Sequence, residues 1–269
     1  MPRVLWIGGP PGAGKTTIAT KLARRYGLRL YSADTQTWWH RDHALAAGNA
    51  AALRWEAMTH SERWEQSTSA EMLEMSMHAE RGAMVLADVR ALPDSPLIIA
   101  EGSTVPASAI TSGDVDRSCA LWLLPTAEHQ IAVLSASGTA PGPSRLYARL
   151  RDVIEREVRA HDAPALTVDG TLGVDDMVDA VVGLFGAILA LGPLAATRAD
   201  RQALLREMNE NLIAQIRGYY ARPWAIGDPD TVTRVFVCEC GDAECDLEML
   251  LTVREAGAHG VLAPGHRGR

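Results

Sequence analysis

Five short apolar runs recur along the first two-thirds of the chain, at positions 4–7, 28–33, 97–100, 119–124 and 166–168. Runs this short and nearly continuous point to strands buried on both faces, as in a parallel sheet. Between them, apolar residues spaced three and four apart predict helices over 17–25, 127–135, 145–159 and 174–191. Residues 71–92 predict one long helix with a buried stripe of Met72, Met75, Met84, Leu86 and Val89. Gly27 suits the left-handed end of the first helix, and the cluster SGTAPGPS at 137–144 predicts a loop. Strands alternating with helices give an α/β fold in three layers, with a five-stranded parallel sheet covered by helices on both sides.

After residue 191 the pattern changes. Leu191-Gly192-Pro193 divides the chain into an expected domain at 1–192 and a smaller one at 193–269. The second begins with a charged helix at 198–217, continues through a Pro- and Gly-bearing connector at 221–231, and ends in a cysteine-rich tail.

The 269 residues are 47% hydrophobic, enough for a packed core. The formal charge of -7 supplies no overall positive field for nucleic acid or an anionic membrane. Residues 178–194 are too short and too weakly apolar for a membrane span and predict a buried helix. The first strand begins almost at the N-terminus with no room for a signal peptide, so a cytoplasmic protein is expected.

The most specific feature is Gly9-Pro10-Pro11-Gly12-Ala13-Gly14-Lys15-Thr16, a full match to G-x-x-x-x-G-K-[ST] between a strand and a helix. A polyphosphate must be held by several backbone N–H groups at once, and glycine removes the Cβ atoms that would block its approach. The helix opening at Lys15 adds free N–H groups and the positive end of its dipole. Gly9, Gly12, Ala13, Gly14, Lys15, Thr16 and Thr17 are therefore expected to hold ATP or GTP. Lys15 would reach the β- and γ-phosphates, and the Thr16 hydroxyl would serve Mg2+.

Two carboxylates end strands at the edge where this loop lies. Asp34, after the second strand, reads as a base or orienting group for an acceptor hydroxyl, or as the cap of the following helix. Glu101, after the third, reads as a Mg2+ ligand or acceptor-orienting group, or as an ordinary solvated strand end. Arg145 and Arg149 share a helix face beside the 137–144 loop, where they suit a lid that stabilises charge on a transferring group. The same arginines also fit a solvated, salt-bridged face. Trp38, Trp39, Trp55 and Trp64 fit either an acceptor wall or the core, whereas His40 and His43 are expected at the surface or near an acceptor.

In the tail, Cys238, Cys240 and Cys245 with His266 or His259 form a candidate Cys3His zinc site that would stabilise a segment too small for its own core. Three reduced thiols in a turn are the other reading. The acidic neighbours Glu239, Asp242 and Glu244 do not suit a finger that reads nucleic acid.

Residues 1–190 resemble the P-loop nucleotide and small-molecule kinases, a group including adenylate, cytidylate, shikimate and gluconate kinases and chloramphenicol phosphotransferase. The resemblance rests on GGPPGAGKTT, Tyr31-Ser32-Ala33-Asp34, Glu101-Gly102, the arginines after the 136–144 loop and Val168-Asp169-Gly170. It implies strand order 2-3-1-4-5, ATP with Mg2+, and an acceptor bound between the second strand and the lid. The chain lacks the dense lid arginines of nucleotide kinases, which favours a neutral or less charged small-molecule acceptor. A kinase acting on nucleic-acid ends or a repair-type NTPase is a second reading, and a nucleotide-dependent switch without an acceptor is a third.

Overall fold

The computed structural model describes residues 4–266. The chain runs β1 (Val4–Gly8), α1 (Lys15–Tyr26), β2 (Arg29–Ser32), α2 (Thr37–Ala46), α3 (Ala50–Ala57), α4 (Ser69–Met75), α5 (His78–Ala91), β3 (Ile98–Gly102) and α6 (Ser108–Thr111). It continues with β4 (Ala120–Pro125), α7 (Ala127–Ala136), α8 (Pro141–Ala160), β5 (Ala165–Val168) and α9 (Val174–Leu191). The tail adds α10 (Arg198–Tyr220), β6 (Thr233–Val237), β7 (Glu248–Thr252) and α11 (Val253–His259).

The five expected strands form one parallel sheet in the order β2-β3-β1-β4-β5. Two-residue alternation sorts its side chains. Leu5, Ile7, Leu30 and Ile99 pack with Ile18 and Leu22 of α1 and Phe185 of α9 on one face. Val4, Trp6, Tyr31, Ile98 and Trp122 pack with Met72, Val85, Leu146 and Ile154 on the other. Glu101 pairs in register with Ser32 and Ile7, in phase with the first set. The sheet thus delivers Glu101 to the α1 side at the carboxyl edge, where ligands of open parallel sheets collect.

Two expected helical boundaries are corrected. The single helix over 71–92 is broken between α4 and α5, where Met77 takes φ 54. Ser76 Oγ donates to the Leu73 carbonyl in competition with the helix, and the break leaves the Met75 carbonyl to accept from Arg41 at 3.0 Å. The expected loop 137–144 is shorter than its composition suggested. Pro141, with its fixed φ, opens α8, and Gly142 lies inside that helix against the Trp64 carbonyl.

α9 buries Met177, Val178, Val181, Phe185 and Leu189 as a stripe on the sheet. Among the described residues no helix is long and apolar enough to cross a membrane.

The tail packs on α10, which supplies Ile213 and Ile216 to a small core with Phe236, Val253, Ala256 and Val261. The same helix and the residues just after it reach back to the first part of the chain. Gln215 donates to the Asp34 carbonyl at 3.0 Å, Arg222 pairs with Asp42 at 2.6 Å, and Trp224 Nε1 donates to Glu56 at 2.7 Å. Trp224 also lies 4.0 Å from the buried Arg63 guanidinium, which sits 5.2 Å from the Trp55 ring on its other contact. Trp38 joins this cluster through Tyr219 and Trp224. Three of the tryptophans near positions 38–64 therefore do packing work, while Trp39 is exposed.

His78, at the start of α5, has its Nδ1 buried without a hydrogen-bond partner among the described residues. Burial, and secondarily the Arg81 charge, push it down from its ordinary value to about 4. Between pH 6.5 and 4 the unfolded chain takes up a proton that the folded chain refuses, so folding stability falls as pH drops through that window. A His78→Gln protein is expected to show a flatter loss of stability across it, by about 2 kcal/mol in urea titrations at pH 4.5 and 7.

Candidate functional site

The candidate phosphate cradle follows from local backbone chemistry. Gly9, Gly12 and Gly14 take φ of 134, 85 and 80, which L side chains rarely adopt. A Cβ at Gly9 would lie 2.2 Å from the Leu123 carbonyl oxygen. Gly14 stands at the start of α1 in the left-handed region, and the first turn carries no acidic residue and no side-chain cap. Its N–H groups and dipole are left for an anion. Lys15 is 5% exposed, with Nζ donating to the Pro10 carbonyl at 3.0 Å. Ala13 is buried beneath the loop, whereas Thr16 and Thr17 are exposed on the first turn of α1.

Glu101 lies beside this cradle, fully buried. Ser32 Oγ donates to its Oε1 at 2.5 Å and Thr16 Oγ1 to the same oxygen at 3.2 Å. Oε2 is buried with no hydrogen-bond partner among the described residues. Burial, then the nearby Asp34 carboxylate, push Glu101 up to about 7 against the opposing pull of Lys15, Ser32 and Thr16. A buried carboxylate oxygen without a partner next to a threonine hydroxyl is a donor set that fits a hard divalent cation.

Asp34 is half-buried at the end of β2, and the turn that carries it is held from three sides. Gln215 and the Thr37 hydroxyl donate to its carbonyl. Arg81, on α5, donates Nη2 to the Ala33 carbonyl at 2.6 Å and to Thr37 Oγ1 at 3.0 Å. Arg81 also lies close enough to Asp34 for the carboxylate to raise its affinity for protons, against the larger lowering by burial. Tyr147 of α8 faces the same carboxylate, and burial followed by Asp34 pushes its phenol upward.

The expected lid arginines diverge. Arg145 is exposed and donates Nη2 to the Trp64 carbonyl at 2.7 Å and, more weakly, to that of Glu65. Arg149 keeps a buried Nε with no partner among the described residues. His40, expected at the surface or near an acceptor, is 1% exposed. Arg81 Nε donates to its Nδ1 at 3.3 Å, so its Nε2 carries the proton that meets Asp88 at 2.8 Å.

Three positioning residues escaped the sequence reading. Arg81 is in register with Val85 and Val89 on the buried stripe of α5, and a charge on such a stripe was the available signal. Gln130, 1% exposed on α7, donates to the Pro11 carbonyl at 2.8 Å and the Tyr147 carbonyl at 3.2 Å, tying the phosphate loop to α8. Arg151 donates to its Oε1 at 3.3 Å. Ser32 had no distinguishing sequence signal.

At the other end of α1, Cys238, Cys240, Cys245 and His266 converge, with their ligand atoms within 4.8 Å of one another. The Cys238 and Cys245 sulfurs each lie 3.6 Å from His266 Nδ1. Tetrahedral zinc with bonds of about 2.3 Å to sulfur and 2.0 Å to nitrogen implies a sulfur-to-nitrogen separation of about 3.5 Å. The donor set and spacing fit that ion. Burial and the adjoining thiols push Cys240 up to about 11, so a metal would displace its proton. His259 stays exposed at the end of α11.

No family model matches the chain, and no curated protein does. Solved structures to which the chain is similar include shikimate kinase from Acinetobacter baumannii, 19% identical over 70% of this chain and 94% of that one, with a TM-score of 0.41. Deoxyadenosine kinase from M. mycoides is 14% identical over 68% and 99%, with a TM-score of 0.38. Thymidylate kinase from Candida albicans is 11% identical over 70% and 92%, with a TM-score of 0.42.

Proposed function

We propose that this chain is a phosphotransferase that moves the γ-phosphoryl group of ATP or GTP to a hydroxyl of a small molecule. The observation that carries this reading is the buried Oε2 of Glu101, without a partner among the described residues, on a carboxylate whose other oxygen accepts from Thr16 of the glycine-rich loop and helix start and which feels the charge of Asp34. With Glu101 assigned to Mg2+, Asp34, just past the end of the adjacent strand, is left as the carboxylate able to take a proton from an acceptor hydroxyl.

In this reading residues 9–17 hold the triphosphate, and Thr16 with Glu101 holds Mg2+, which neutralises the phosphate oxygens. Lys15 draws charge from the β- and γ-phosphates. Asp34 accepts the proton of the attacking hydroxyl, while Arg81 and Gln215 fix the turn that presents it. Arg149, whose Nε has no partner among the described residues, is the freer of the two lid arginines to meet transferring charge, since Arg145 would first have to leave the Trp64 carbonyl. In the tail, Cys238, Cys240, Cys245 and His266 hold a structural Zn2+. A cytoplasmic setting, with abundant nucleoside triphosphate and reduced thiols, suits both sites.

The test is nucleoside diphosphate formation from MgATP and MgGTP with sugars, polyols, cyclitols and amino alcohols as acceptors. One class is expected to stimulate turnover, and Asp34→Ala is expected to lower that turnover about 10²- to 10⁴-fold. Retention of the full rate by Asp34→Ala would remove Asp34 as the base, and stimulation by no acceptor with either nucleotide would refute the transferase reading.

A further inference from the structure

The nucleotide loop and the Cys3His cluster sit at opposite ends of one helix. α1 opens at Lys15 and closes with Arg24 and Arg25 in its last turn. Arg24 is 7% exposed, and its side chain crosses into the cysteine-rich loop. Nη2 donates to the Cys245 carbonyl at 2.7 Å and the Leu247 carbonyl at 3.0 Å, and lies 3.8 Å from Cys245 Sγ. The only carboxylate within ion-pair reach of Arg24 among the described residues is Glu248, at 3.9 Å and half-exposed. A buried guanidinium so weakly paired needs another anion nearby.

The cysteine cluster would supply it. Three thiolates, one neutral imidazole and Zn2+ sum to a single net negative charge, and outer-shell N–H donors to such sulfurs tune how tightly the metal is held. Further contacts make the attachment stiff. Arg198 Nε and Gln202 Nε2 donate to the Cys240 carbonyl at 2.7 and 3.2 Å. Arg201 Nη1 donates to the Arg24 carbonyl at 3.0 Å, at the carboxyl end of α1. Gly241, with φ 73, presses on the first turn of α10, where a Cβ would lie 2.5 Å from the Arg198 carbonyl oxygen. A cavity of about 400 Å³ between loop and helix is lined by Thr17, Lys21, Cys245 and Asp246, so the metal loop also flanks the first turn of the nucleotide helix.

We infer that Arg24 is the counter-charge of a zinc–thiolate centre at Cys238, Cys240, Cys245 and His266, and that metal binding in the tail and nucleotide binding at residues 9–17 are thermodynamically linked through α1. Metal loading fixes the Cys245 and Leu247 carbonyls that anchor Arg24, which holds the helix whose first turn carries Lys15, Thr16 and Thr17. Linkage is reciprocal, so nucleotide also tightens metal binding by the same factor. This inference rests on the nucleotide-binding part of the proposed function and is independent of any acceptor.

The experiment uses the full chain, stripped with chelator and titrated with Co2+ followed by the thiolate-to-cobalt charge-transfer band, and separately with Zn2+. MgATP affinity is then measured by calorimetry with and without metal, with circular dichroism reporting whether the sheet domain stays folded. Arg24→Gln is expected to weaken Co2+ binding about 10- to 100-fold. Arg24→Lys, which keeps the charge but cannot fork onto two carbonyls, is expected to fall between. Metal loading is expected to tighten MgATP at least about 5-fold in the wild type, and less in Arg24→Gln. A smaller change in a stripped protein that stays folded overturns the linkage. If stripping unfolds the sheet domain, metal-loaded Arg24→Gln decides, and MgATP affinity equal to wild type overturns it. Failure to bind Co2+ or Zn2+, or equal Co2+ affinity in Arg24→Gln, overturns the counter-charge. Metal-loaded wild type that binds no MgATP refutes the nucleotide reading itself, together with the linkage.

Discussion

Lys15→Met is expected to bind MgATP more weakly and to lose phosphoryl transfer by roughly 10³-fold while staying folded. Methionine keeps an unbranched stem in a site where Lys15 is 5% exposed, so packing is retained and only the ammonium is removed. That ammonium rests on the Pro10 carbonyl, an acceptor it can leave at small cost for phosphate oxygens carrying full charge. Calorimetry with MgATP and single-turnover diphosphate release would check both effects. Turnover within tenfold of the wild type would mean that the loop does not hold a reacting phosphate.

A Gly9→Ala protein is expected to lose nucleotide binding and about 4 kcal/mol of stability together. The added methyl would meet the Leu123 carbonyl oxygen at 2.2 Å, a backbone atom of the neighbouring strand that cannot swing aside. A φ of 134 adds strain of its own. For a chain of this length the cost amounts to a fall in melting temperature of about 10 °C. Gly14→Ala is the informative comparison. Nothing lies within 4 Å of its would-be Cβ, so its penalty comes from backbone strain alone and should be the smaller.

The sheet was readable because its strands are short and apolar, and because each helix between them repeats at three and four residues. The phosphate loop was readable because its demands are met by adjacent residues. What the sequence hid was placed by tertiary contact. Arg81 comes to the Asp34 turn from a helix more than forty residues away, and Gln130 reaches Pro11 across more than a hundred. The break at Met77 was hidden by helix-forming residues on both sides of it, since it depends on Ser76 and on the demand of Arg41 for a carbonyl. Pro141 read as a loop residue because proline starts helices as readily as it interrupts them. The three cysteines of the tail stood out by residue type, but their convergence with His266 rather than His259 depends on how the chain returns after α11.

The reach of α10 and of the residues just after it also bears on how small a working protein could be made. Trimming at residue 192 would remove Gln215 from the Asp34 carbonyl and Arg222 and Trp224 from Asp42, Glu56 and Arg63. It would uncover Trp38 and the Arg63 face as well. The folded unit that carries the candidate site is therefore longer than its five-stranded sheet, and extends at least through Trp224.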